Sequence, residues 1–230
     1  MNYAAYLFDF DYTMANAEKG IFMSYRSVLQ KHGYPDVTDG AIRRTVGLPV
    51  PEGFTMLCGE TDQSRLKMYW DEFTAAADTC MTANTVFYPG ALSLVRKLKD
   101  RGKLTGIIST KSAYRIAAAL EKYSITGLFD VVVGGEMVER FKPDPEGVLL
   151  ALERLGVGRD AALYIGDTVT DAETARRAGV DFAGVTTGAT SSSELAAWPN
   201  IAIVPDLGEL EGYLQGPERL TSSRDFTTIY

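Results

Sequence analysis

Histidine is almost missing from this sequence, with His32 the one example in 230 residues. That scarcity excludes multi-histidine zinc sites and the HExxH arrangement, which bring two or more imidazoles to one metal. A Ser-His-Asp triad would depend on His32 alone, and no GxSxG elbow is present to supply its nucleophile. Cysteine is nearly as rare: Cys58 and Cys80 lie 22 residues apart without CxxC spacing, so both are expected to be reduced thiols. Basic residues are outnumbered, 23 Lys and Arg against 30 Asp and Glu, for a formal net charge of −7. A nucleic-acid polymer needs clustered cations to meet its phosphates, so that class of partner is excluded. The apolar runs are only a few residues long, far short of the ~20 that span a bilayer. The opening MNYAAYLFDFDYT has no basic region and turns acidic by its ninth residue, unlike a secretory signal. These absences lead to the expectation of a soluble, cytoplasmic protein with no membrane partner.

What is present is an ordinary globular composition, 46% hydrophobic and 23% charged, in a length suited to one large or two small domains. Short apolar runs occur at residues 4–8, 105–108, 131–133, 162–165, 182–185 and 201–204. From about residue 86 they alternate with helical stretches, the βαβ pattern of a parallel sheet covered on both faces. Pro89-Gly90 opens one helix, with Leu92, Val95 and Leu98 at helical spacing before Gly102. Pro145 opens another, with Val148, Leu149, Leu152 and Leu155 on one stripe and Gly156 as its stop.

Residues 16–84 break the alternation. Ile21, Phe22, Tyr25, Val28, Leu29 and His32 recur at three and four before Gly33, and Leu66, Met68, Tyr69, Trp70 and Phe73 do so further on. This reads as an all-helical insertion after the first strand. The GLPVPEG stretch at 47–53 is expected as a loop between helices, Trp70 and its aromatic neighbours as core, and His32 as a structural residue at a helix end. After Leu214 the chain turns polar and reads as a tail, although its terminal FTTIY has strand character.

Four polar clusters follow apolar runs, at the strand ends where open α/β sheets bind ligands. They are Asp9-Phe10-Asp11-Tyr12-Thr13, Ser109-Thr110-Lys111, Lys142-Pro143-Asp144-Pro145, and Gly166-Asp167-Thr168-Val169-Thr170-Asp171. Singly, each has an everyday explanation: Asp11 as a helix cap, Ser109 as a turn hydroxyl, Lys142 as a surface charge, Asp171 as an exposed partner for Arg176. Two carboxylates two residues apart at a strand end argue otherwise, since unpaired buried charge is costly.

The order DxDxT, Ser/Thr, Lys-Pro, GDxxxD resembles the haloacid dehalogenase superfamily of phosphohydrolases, over nearly the whole chain to about Leu214. The insertion resembles that superfamily's helical cap, as in phosphoglycolate phosphatase-like and β-phosphoglucomutase-like members. The resemblance implies an α/β fold: a Rossmann-like parallel-sheet core at 1–15 and 85–214, a cap at 16–84 and a tail at 215–230. It implies a Mg²⁺-dependent phosphatase acting on a small phosphorylated metabolite, with monomer and homodimer both open. Asp9 would be the nucleophile, forming an aspartyl-phosphate, and Asp11 the acid and base. Asp9, Asp167, Asp171 and the Asp11 main chain would serve the metal, an oxygen-seeking ion. Ser109, Lys142, Thr110 and the main chain around Phe10 would hold the phosphoryl oxygens, with Thr13 bracing the first loop.

Asp11 separates two chemistries within that superfamily. Phosphate ester hydrolysis needs a proton for the leaving oxygen, whereas halide displacement does not, and the dehalogenase branch resembles DxYxT at this position. Departures bear on substrate: Tyr12 stands in place of a glycine, Asn16 of a carboxylate and Thr110 of an asparagine. Gly20-Ile21 occupies the place where the mutase pattern has a histidine. Within the cap, Arg43, Arg44 and the 47–53 loop are candidates to meet an anionic leaving group. Two other readings remain at this point: a phosphosugar mutase and a catalytically silent phosphate-ligand-binding protein.

Overall fold

The computed structural model describes residues 2–215. Of the expected tail, only Gln215 falls within it, as the last residue of a helix, and the FTTIY segment lies outside the described residues.

The chain enters through β1 (Ala5–Phe8) and leaves by way of the two-residue strand β2 (Ala15–Asn16). Next come α1 (Glu18–Lys31), α2 (Asp39–Arg43), α3 (Val50–Cys58) and α4 (Gln63–Cys80). β3 (Val86–Phe87) pairs antiparallel with β2 and returns the chain to the sheet. Elements then alternate: α5 (Pro89–Asp100), β4 (Leu104–Ile108), α6 (Ala113–Lys122), β5 (Val131–Val133), α7 (Glu146–Leu155) and β6 (Ala162–Gly166). The remainder is α8 (Val169–Ala178), β7 (Asp181–Val185), α9 (Ser192–Ala196), β8 (Ala202–Val204) and α10 (Leu207–Gln215). All six expected strands are present within one residue of their sequence limits. The β2–β3 pair is too short to leave any periodic signal in the sequence.

The six-stranded sheet is parallel, in the order β5-β4-β1-β6-β7-β8. Connections progress outward from β1 to one edge, then return to build the other half, which is the Rossmann-like α/β arrangement with its crevice at the carboxyl end of β1. Strand alternation divides the core. Tyr6, Phe8, Leu163 and Ile165 join α5, α6 and α10 on one face, whereas Ala5, Leu7, Ala162 and Tyr164 join α7 and α8 on the other.

The inserted helices have a core of their own. Ile21, Tyr25, Val28 and Leu29 of α1 meet Leu66, Tyr69, Phe73 and Ala77 of α4, with Ile42 and Phe54 between them. Burying each such large side chain stabilises by roughly 1.5–3 kcal/mol. Trp70 departs from the expectation of a core residue, being 47% exposed, as is Met68 at 39%. The buried positions 66, 69, 73 and 77 form one helical stripe, and 68 and 70 fall off it. Residues 47–53 are not all loop either. α3 begins at Val50 with a proline in its first turn, where a missing N–H costs no helical hydrogen bond. His32 follows the end of α1 and contacts Glu72 at 2.8 Å, in agreement with a structural role. Both cysteines are free and half-buried. Among the described residues, no helix is long and apolar enough to cross a membrane.

Candidate active site

Phe8 pairs with Ile107 of β4 and with Ile165 of β6. The three strands therefore release Asp9, Ser109 and Asp167 side by side at one end of the sheet. Asp9 is anchored there by its backbone N–H, which donates to the Ile165 carbonyl at 2.8 Å.

Lys142 arrives from the segment before α7. Its ammonium nitrogen lies 2.8 Å from Asp9 Oδ1, 2.6 Å from Asp171 Oδ1 and 3.3 Å from the Tyr164 hydroxyl. The explanation of Lys142 as a solvated surface charge is excluded by its 6% side-chain exposure, and that of Asp171 as an exposed partner by its complete burial. Asp171 is fixed twice. Its Oδ2 accepts from the Thr168 backbone N–H at 3.1 Å and from the Thr168 hydroxyl at 2.5 Å, closing the capping box of α8. Its Oδ1 accepts from the Tyr164 hydroxyl at 2.9 Å. Gly166 permits this approach, since a Cβ there would stand 2.4 Å from the Asp171 Cβ. The Thr13 hydroxyl donates to Asp167 Oδ1 at 3.0 Å.

Ligand oxygens of Asp9, Asp167 and Asp171 all lie within 4.8 Å of one another. Burial, reinforced by the charges of Asp171 and Asp11, pushes the Asp9 carboxyl up to about 7 even against Lys142. Burial and the charges of Asp171 and Asp9 raise Asp167 well above the usual carboxylate range. Burial alone would lower the Lys142 ammonium, but Asp171 and Asp9 outweigh it and the net shift is upward. One ammonium thus faces three buried carboxylates, an all-oxygen donor set with negative charge to spare. That set fits a hard divalent cation such as Mg²⁺.

Asp11 sits at the edge of this cluster. Its Oδ2 pairs with Lys111 Nζ at 2.9 Å, while its Oδ1 is buried without a hydrogen-bond partner. Asp11, Thr110 and Lys111 line a cavity of about 430 Å³ between the core and the inserted helices. Ser109 is buried and its Oγ accepts from the Lys111 N–H at 3.2 Å. The Thr110 hydroxyl turns away to donate to the Gly47 carbonyl at 3.3 Å, tying core to insertion. The Phe10 ring is buried in the core against Phe87, so only its main chain can face a ligand.

Arg43 and Arg44 are not brought to the site. Both are exposed and neither lines the cavity. Arg43 pairs with Glu18 and lies 5.8 Å over the Phe22 ring. In the short α2, Ile42 takes the inward position and its arginine neighbours are turned out. Sequence reasoning assigned no role to Lys111, Tyr164 or Arg115. Lys111 had a signal, its place beside Ser109. Tyr164 is placed under Lys142 by strand alternation, and Arg115 of α6 reaches Asp78 of α4 at 2.8 Å.

Comparison with known proteins identifies the family. The model of the haloacid dehalogenase-like hydrolase family matches residues 6–185. The protein named "Probable phosphatase IndB" of Dickeya dadantii is 30% identical over 220 residues, covering 94% of this chain and 96% of that one. The phosphoglycolate phosphatase of Rhodobacter capsulatus is 31% identical over 216 residues, 92% and 97% of the two chains. The crystal structure of a haloacid dehalogenase-like hydrolase from Bacteroides fragilis superposes with a TM-score of 0.89 at 45% identity, covering 91% of this chain and all of that one. The chain belongs to the haloacid dehalogenase-like hydrolases, in their phosphoglycolate phosphatase-like branch, and is a phosphatase.

Proposed function

We propose that this haloacid dehalogenase-like hydrolase cleaves a small phosphate monoester in two steps through a phosphorylated Asp9, with Mg²⁺ held by Asp9, Asp167, Asp171 and the Asp11 main chain. The observation that carries the reading is the pairing of opposites at one strand end. A carboxylate held by a buried lysine, Asp9, stands two residues from a carboxylate whose spare oxygen has no partner, Asp11.

In the first step an Asp9 carboxylate oxygen attacks phosphorus, and the bond from phosphorus to the leaving oxygen breaks. That oxygen takes its proton from Asp11. In the second step water gives a proton to Asp11 while its oxygen attacks phosphorus, which breaks the bond to Asp9 and frees phosphate. Carboxylate attack on an ester dianion suffers charge repulsion. Lys142 offsets it from 2.8 Å, while Ser109 and main-chain N–H groups steady the phosphoryl oxygens. Bound Mg²⁺ would supply the remaining positive charge and draw electron density from phosphorus. Residues 16–84 serve as the cap, which encloses the leaving group and limits water during the first step.

The mutase reading is disfavoured by packing. A Cβ at Gly20 would stand 2.9 Å from the Met81 Cα, so the first helix of the insertion has no room there for a histidine. A screen for phosphate release from several dozen phosphorylated metabolites, with Mg²⁺ and with EDTA, tests the function. Release that requires Mg²⁺ supports it. Calorimetric binding without turnover across the panel contradicts it.

A further inference from the structure

The cavity over Asp11 is large and its charges are already matched. About 430 Å³ is within the range of pockets that enclose ring-bearing ligands, roughly 300–1,000 Å³. Its wall includes Ile21, Tyr25, Leu48, Leu66, Trp70 and Phe73. Trp70 contributes to that wall and is 47% exposed, so its ring is open to pack on a ligand. Two cations line the cavity, Lys111 and Arg115. Lys111 is held by Asp11 at 2.9 Å, and Arg115 by Asp78 at 2.8 Å and the Thr74 carbonyl at 3.2 Å. Glu52 and Glu136 add negative charge. When Asp11 holds the proton it delivers, the Lys111 charge is set against Glu52 and Glu136 of the same lining, while Arg115 stays paired with Asp78, so an anionic group on the leaving side of the ester meets apolar walls with no net positive charge. Burying such a charge unpaired is strongly unfavourable.

We infer that the cavity selects phosphate monoesters whose leaving group is an uncharged, ring-bearing alcohol, in preference to leaving groups that carry a carboxylate or a second phosphate. This inference rests on the proposed function, because it takes the unpartnered Asp11 Oδ1 as the point where the leaving oxygen sits. The phosphoryl group occupies the Asp9 side, and the ring extends over Lys111 and Thr110 toward Trp70 and Phe73. Specificity then comes from apolar burial and from the desolvation cost imposed on competitors.

The test compares kcat/KM in Mg²⁺ for 2-phenylethyl phosphate, ethyl phosphate, 2-phosphoglycolate and pyrophosphate. The first two are alkyl esters of similar intrinsic reactivity, so their ratio reads the cavity rather than the leaving-group chemistry. The expected result is 2-phenylethyl phosphate ahead of both ethyl phosphate and 2-phosphoglycolate by at least about tenfold. Trp70→Ala, at a half-exposed position off the buried stripe of α4, is expected to shrink the first ratio at least about threefold. Preference for 2-phosphoglycolate or pyrophosphate overturns the inference and leaves the phosphatase reading standing. No phosphate from any of the four overturns the inference, and the wider metabolite screen then decides the phosphatase reading separately.

Discussion

The Lys142 ammonium nitrogen lies 2.6 Å from Asp171 Oδ1, with both side chains buried. Removing one partner of such a pair leaves uncompensated charge in a low-dielectric place, at a cost of about 3–5 kcal/mol. Lys142→Met is therefore expected to lose that much stability at pH 7 in EDTA, measured by urea unfolding. The Lys142→Met/Asp171→Asn double variant is expected to recover part of the loss, because the two effects are coupled. A single variant as stable as the parent would show that the pair is already neutral.

Asp9 and Asp167 lead to a prediction about metal and pH. Both carboxyls are raised above their unfolded values by burial and by neighbouring carboxylates, Asp9 to about 7. A raised carboxyl favours the fold below its unfolded pKa, and that contribution is lost as pH rises through the folded value. The metal-free protein is thus expected to lose thermal stability between pH 6 and pH 8. A cation competes with the protons, so Mg²⁺ is expected to raise the melting temperature more at pH 8 than at pH 6. Differential scanning calorimetry with Mg²⁺ and with EDTA measures this.

Tyr12 has φ of +62°, a left-handed conformation that glycine adopts freely and that costs other residues about 1–2 kcal/mol. Here Tyr12→Gly is expected to be more stable than Tyr12→Ala by about 1 kcal/mol in chemical denaturation. At a residue of ordinary φ the order is the reverse, by roughly 0.5–1 kcal/mol.

Arg43 and Lys111 separate surface charge from site charge. Arg43→Ala and Arg44→Ala are each expected to keep kcat/KM for p-nitrophenyl phosphate within about twofold, as exposed charges contribute little. Lys111→Met is expected to lower kcat at least about tenfold, since Asp11 would lose the contact that orients it. Steady-state kinetics on the three variants decides the matter.

The contrast also marks what the sequence can express. Asp9, Ser109, Lys142 and Asp167 follow strands or open helices, so their convergence comes from topology, and short-range patterns disclose it. The cavity does not have that property. Whether Arg43 or Ile42 faces inward depends on the rotation of a five-residue helix against its neighbours, and Trp70 lies one position from the buried Tyr69. A shift of 100° in helical phase changes a wall residue into a core residue, and periodicity over so few turns does not fix that phase. Tyr164 was hidden for a different reason. Its strand is buried on both faces, and only the partner elements distinguish the face that carries Lys142 and Asp171.

Rapid acid quench of the enzyme during turnover of ³²P-labelled p-nitrophenyl phosphate in Mg²⁺ tests the nucleophile directly. Label is expected on the chain, in the peptide that contains Asp9, and is expected to disappear in Asp9→Asn together with phosphate release. Near wild-type turnover by Asp9→Asn, or label on a different residue, would contradict the assignment of Asp9.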